Sequence, residues 1–217
     1  MVEVVDDSQL AAGGVERAAA AVRSLIVARR LLPGEQLRQD ELARRLGLSR
    51  STLREALQAL SVERMVTYTR NRGYTVARFG AEEMQQLYQL RDFSEKLLLE
   101  SISAPSEEEF ATLVELNERI RAAAEDPREV VRLNDEFHLK IFDYSPLRIL
   151  AEETRRWWTM SAAYRALSVT TLQDRSLIAA DHDGMLEALR IGDSDLLVQR
   201  AYKHRHASLD RIIPTII

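Results

Sequence analysis

The 217-residue chain has no cysteine, so no disulfide framework can form and a reducing, cytoplasmic setting is expected. It also lacks long apolar runs. The early apolar stretch over 15–32 is broken by Glu16, Arg17, Arg23, Arg29 and Arg30. Nothing approaches the roughly 20 residues that a bilayer span requires. No signal peptide, internal repeat or low-complexity tract stands out, and a membrane partner is not expected. Lysine is missing from residues 1–80, where thirteen arginines face nine acidic residues, a balance of +4. The remainder carries −8, within a formal net charge of −4. A basic module joined to an acidic one fits a nucleic-acid reader with a separate regulatory part. No nucleophile motif, phosphate-cradling loop or convincing general base is present, which speaks against an enzyme.

What the chain does have is enough apolar character, 46%, for real cores, and a length that fits two modest domains. Residues 40–57 read as two short helices joined at Gly47-Leu48-Ser49. The first presents Leu42, Ala43 and Leu46 at helical spacing; the second presents Leu53, Ala56, Leu57 and Leu60 on one face. Gly47 suits a left-handed turn and Ser49 a helix N-cap. The opposite face of the second helix carries Arg50, Ser51 and Arg54 near its start. That is the layout of a helix-turn-helix, whose second helix enters the major groove N-terminus first. A solvated helical hairpin is the plain alternative.

The following residues sharpen the reading. Val66-Thr67-Tyr68-Thr69 and Tyr74-Thr75-Val76 are β-branched and aromatic, with Arg70-Asn71-Arg72-Gly73 between them, the pattern of a hairpin. A basic wing after a recognition helix makes a winged helix-turn-helix. Upstream, 15–30 is helical and Leu32-Pro33-Gly34-Glu35 ends it. Ser49, Arg50, Ser51, Thr52 and Arg54, with Arg70, Asn71, Arg72 and Gly73 of the wing, are the candidate contacts to double-stranded DNA. Arginine grips a guanine edge or clamps a phosphate, and the hydroxyls bond either.

These residues, with Leu32-Pro33-Gly34-Glu35-Gln36-Leu37 and Glu41-Leu42-Ala43, resemble the DNA-binding domain of the GntR family of bacterial transcription regulators. The resemblance covers about the first third of the chain. Asp40 departs from it, standing where some relatives carry a basic residue; the departure bears on one DNA contact and on sequence preference.

From Ala81 onward the pattern is helical, with helices expected at about 81–101, 106–124, 127–144, 147–168, 172–190 and 193–212. The expected fold is therefore mainly α: a winged helix-turn-helix over 1–78, then an all-α antiparallel bundle of about six helices over 79–217. The second part resembles the ligand-binding FCD domain of the FadR subfamily. The resemblance rests on Leu90-Arg91 with Glu95, residues 133–138, Ser145-Pro146-Leu147, Asp181-His182 and Tyr202-Lys203-His204.

The resemblance implies a metal site at Asn134, His138, His182 and His204, for a divalent ion such as zinc or nickel. Asn134 and His138 lie one turn apart on one helix face. His206, about 200° around the helix from His204, should point elsewhere. Asn134 replaces the aspartate of many metal-binding relatives, and Asp135 is an alternative oxygen ligand. A metal-free polar pocket is the other reading of these histidines. Arg91 is the candidate effector-binding residue for a small carboxylate metabolite, with an internal pair to Glu95 as the alternative. The expected whole is a homodimeric, effector-controlled regulator of a palindromic operator, most simply a repressor. A metal-dependent hydrolase with an accessory basic domain and an effector-blind DNA-binding protein are the rivals.

Overall fold

The computed structural model describes residues 7–216, with side chains from residue 13; residues 1–6 and 217 of the two expected domains lie outside the described residues. The chain divides into two units, Met1–Phe79 and Gly80–Ile217. The first contains α1 (Asp7–Val27), α2 (Gln39–Leu46), α3 (Arg50–Val62), β1 (Val66–Thr69) and β2 (Gly73–Val76). Helix α1 stops three residues before the expected Arg30. Arg29 takes φ +54°, and the N–H groups of Arg30 and Leu31 fold back onto the Leu25 carbonyl.

Gly47 closes α2 at φ +65°, a left-handed conformation that costs other residues about 1–2 kcal/mol. Ser49 Oγ then caps α3 by accepting from Thr52 N at 3.1 Å. The apolar face of α3 (Leu53, Ala56, Leu57 and Leu60) is fully buried, and α3 packs against α1. Each such leucine contributes about 1.5–3 kcal/mol relative to exposure. An ion pair of 2.7 Å between Arg23 and Glu63 ties α1 to the end of α3.

Strands β1 and β2 are antiparallel, in register from Val66↔Val76 to Thr69↔Gly73. Asn71 and Gly73 supply the positive φ angles of the turn. The segment expected only to end α1 does more. Leu37 N donates to Tyr74 O at 2.8 Å, Val76 N donates to Glu35 O at 2.9 Å, and Gln36 bridges Thr75. It is a short third edge to the wing.

The second unit is all helical: α4 (Ala81–Glu100), α5 (Glu107–Ala122), α6 (Pro127–Asp143), α7 (Arg148–Met160), α8 (Ala162–Arg165), α9 (Leu172–Ile191) and α10 (Ser194–Ile212). Ser106, Asp126, Thr171 and Asp193 cap the starts of α5, α6, α9 and α10 with their side-chain oxygens. Helix α4 packs on α7 and α10, α5 on α6 and α9, and α9 on α10. The single helix expected over 147–168 is instead broken at Ser161. Ser161 Oγ donates to Trp158 O at 3.0 Å, and the Arg165 guanidinium donates to the same carbonyl. That carbonyl would serve Ala162 N in an unbroken helix, so side chains have replaced a rung of the ladder. Among the described residues, no helix is long and apolar enough to cross a membrane.

Candidate functional site

The start of α3 is exposed at Ser49, Arg50, Ser51 and Arg54, with Thr52 half-buried behind them. Ser49 Oγ lies 2.9 Å from Ser51 Oγ and 2.7 Å from Thr52 Oγ1, so the hydroxyls form one cluster at the cap. Arg70, Asn71 and Arg72 are exposed at the wing tip and Gly73 is half-buried. A groove of about 510 Å³ runs between the two elements, with Arg38, Asp40, Arg50, Arg54 and Arg72 on its walls. Gln36 Nε2 holds the wing by donating to Arg72 O at 2.6 Å. Only the proximity of α3 and the wing was readable from sequence; the Gln36 anchor was not.

In the second unit, α6 contributes Asn134 and His138, α9 His182 and α10 His204. One ring nitrogen from each of the three histidines lies within 4.8 Å of the others, and all three residues are well enclosed. His138 Nε2 and His182 Nε2 are 3.2 Å apart. Zinc–nitrogen bonds of about 2.0–2.1 Å at tetrahedral angles would separate two ligand nitrogens by about 3.3–3.4 Å. Phe137 stacks on His182 with centroids 4.0 Å apart and fixes its ring. Burial holds His138 and His182 well below the ordinary imidazole value. His182, His204, Arg91 and Arg165 reinforce the shift at His138, and His204 reinforces it at His182. Both are thus neutral near pH 7, the form that ligates metal.

Asn134 Oδ1 is buried without a partner among the described residues, as are Tyr88 Oη and Trp158 Nε1. Asn134, Tyr88 and Trp158 line one cavity with His138 and His204, about 30 Å³ in volume. That space holds roughly two waters. The three clustered histidine nitrogens, two of them from residues lining this space, and the orphaned Asn134 oxygen are a donor set that fits a divalent ion. His204 Nδ1 lies 3.1 Å from Asp181 Oδ2, which leaves its Nε2 for the cluster. His206 turns away to Asp92 at 2.9 Å and stacks on Tyr202.

Arg91 is buried with its guanidinium over the Trp158 ring, and its Nε donates to Glu95 Oε1 at 2.8 Å. Glu95 Oε2 also accepts from Arg205 Nη1 at 2.6 Å, and Arg205 Nε donates to Asp92. Burial alone would depress Arg205; Glu95 and Asp92 outweigh it and hold the guanidinium above its usual value. Arg165 clasps Asp135 through Nε and Nη2 at 3.2 and 2.8 Å. Asp135 is therefore engaged away from the histidines, whereas Asn134 shares their cavity. Arg91, Arg165 and Arg205 are thus matched by the carboxylates of Glu95, Asp135 and Asp92. The roles of Asp181, Arg165 and Arg205 were not readable from the sequence, because each acts across helices rather than along one.

Comparison with known proteins accords with both halves. Residues 15–76 match the gntR family of bacterial regulatory proteins, and residues 86–207 match the FCD domain. The HTH-type transcriptional regulator YdhC of Bacillus subtilis (strain 168) is 25% identical over 177 residues, 79% of each chain. The Nta operon transcriptional regulator of Aminobacter aminovorans is 28% identical over 186 residues, 85% of this chain and 87% of that one. Among solved structures, E. coli McbR/YncC superposes with a TM-score of 0.84 at 19% identity, covering 93% of this chain and 98% of that one.

Proposed function

The chain belongs to the gntR family of bacterial transcription regulators and carries an FCD domain, and on that premise we propose that it is a dimeric repressor released from a palindromic operator by a small organic acid. The observation that carries the effector half is the cavity. Two of the clustered histidines, His138 and His204, line one small space with three orphaned polar groups and the buried Arg91, and His182 meets those two histidines at its edge. Asn134, His138, His182 and His204 would hold a divalent ion, zinc or nickel by donor type. Such an ion, when bound, supplies a positive centre for a carboxylate. Tyr88 Oη, Trp158 Nε1 and the Arg91 guanidinium are donors placed to orient the acid.

The DNA half rests on the exposed start of α3 and on the wing, both lining the arginine-walled groove. Arg50 and Arg54 are one turn apart and reach a base edge or phosphates, while Arg70 and Arg72 meet flanking phosphates or the minor groove. Dimerisation is supported by α4. Its buried face carries Arg91 and Glu95; its other face leaves Leu90, Phe93 and Leu97 uncovered. One helix thus carries both a cavity wall and an apolar stripe that suits a second copy. Ligand binding shifts the balance between two arrangements of that helix, and so of the paired DNA heads.

The experiment that tests this reading is metal analysis of purified protein, coupled to a thermal-shift screen of metabolic carboxylates with and without chelator. Stabilisation that vanishes with chelator supports one shared site for metal and acid. A shift that survives chelation supports an Arg91-centred pocket without metal, and no shift with any carboxylate overturns the effector class.

A further inference from the structure

Asp40 is the one acid on the wall of a groove whose other charged lining residues, among those described, are Arg38, Arg50, Arg54 and Arg72. A carboxylate there repels phosphates and lowers raw affinity for any duplex. Its place is nonetheless well defined. Asp40 lies in the first turn of α2, where the helix dipole favours an anion, and Arg50 is the first residue of α3, where a cation is disfavoured. Arg50 Nε sits 2.8 Å from Asp40 Oδ1. Both side chains are largely exposed, so the pair adds little to folding. Its effect falls on what the arginine does when DNA arrives.

A guanidinium engaged at Nε still offers the fork of its two terminal nitrogens, the fork that fits guanine O6 and N7 side by side. A free arginine at the same place samples many rotamers and finds phosphates as readily as bases. We propose that Asp40 is a positioning residue for sequence readout: it holds Arg50 toward a base edge and gives up affinity for discrimination. The proposal rests on the reading of α3 as the element that enters the major groove.

The two ideas separate in one experiment on the full chain. A randomised duplex pool is selected against the unaltered protein, and binding is then measured to the preferred site, to its single-base variants and to an unrelated duplex at fixed salt. Arg50→Ala should abolish the preference at one base pair per half-site. Asp40→Asn should reduce the preference at that same pair by about tenfold, as a lost bidentate contact does. It should also bind the unrelated duplex several-fold more tightly, with a steeper salt dependence. Asp40→Glu should restore part of the preference. Asp40→Asn that keeps the preference, or that weakens all duplexes equally, overturns the positioning role. If Arg50→Ala changes neither affinity nor preference, the reading of α3 itself fails, and the inference fails with it.

Discussion

His204 on α10 and Asp181 on α9 meet through Nδ1 and Oδ2 at 3.1 Å, although Asp181 is the chain neighbour of another candidate ligand, His182. The contact sets the tautomer of His204 and makes its Nε2 a better donor to a cation. Asp181→Asn should therefore lower the affinity for zinc or nickel by about 10–100-fold while leaving the fold intact. Competition against a chromophoric chelator measures it. An unchanged affinity would reduce the contact to a helix–helix tie.

The neutral state of His138 and His182 predicts a pH dependence of the metal-free protein. Burial, with His204 adding to both, keeps these imidazoles well below 6.5 when folded, and both return to about 6.5 in the unfolded chain. As pH falls below 6.5, the unfolded form takes up two protons that the folded form refuses. Stability present above pH 6.5 is lost toward the folded values, with a slope of at most about 2.7 kcal/mol per pH unit from this pair. Urea unfolding of stripped protein at about pH 7.5 and about pH 5.5 should show the loss, and His182→Asn should reduce the slope by about half. An unaltered slope in that variant would mean that His182 carries its proton when folded.

Glu95 serves two buried arginines at once. Glu95→Gln removes their shared counter-charge and leaves Arg91 and Arg205 enclosed together. A loss of about 3–5 kcal/mol is expected. The midpoint and slope of denaturant unfolding report it; a loss below about 1 kcal/mol would place the pair within reach of solvent.

Phe93, 67% exposed between Leu90 and Leu97, is the centre of the uncovered α4 stripe. For the dimer proposed above, Phe93→Asp should yield a monomer in sedimentation and weaken operator binding by about two orders of magnitude, as loss of linked half-sites does. A variant that stays dimeric would move the interface off α4.

The elements were legible where chemistry runs along the chain. Leu53, Ala56, Leu57 and Leu60 mark one helical face, Gly47 and Ser49 mark a turn and a cap, and Asn71 with Gly73 marks a hairpin. Asn134 and His138 could be paired because both sit on α6, one turn apart. Asp181 with His204, Arg165 with Asp135, and Asp40 with Arg50 could not, because each joins two helices whose relative rotation no spacing encodes. The break at Ser161 was hidden for a similar reason. The carbonyl of Trp158 is taken by the side chains of Ser161 and Arg165, and local propensity does not register that competition.

The cavity among the histidines has room for an ion and its water, at about 30 Å³, and a metabolite of several carbons is larger. An occupant of that size must part α4, α6, α9 and α10, whose side chains form most of the walls. Entry and helix displacement then become a single thermodynamic event. The apparent affinity for the proposed acid would already contain the work of spreading the bundle, and a variant with a roomier cavity would bind it more tightly yet transmit less of that binding to DNA.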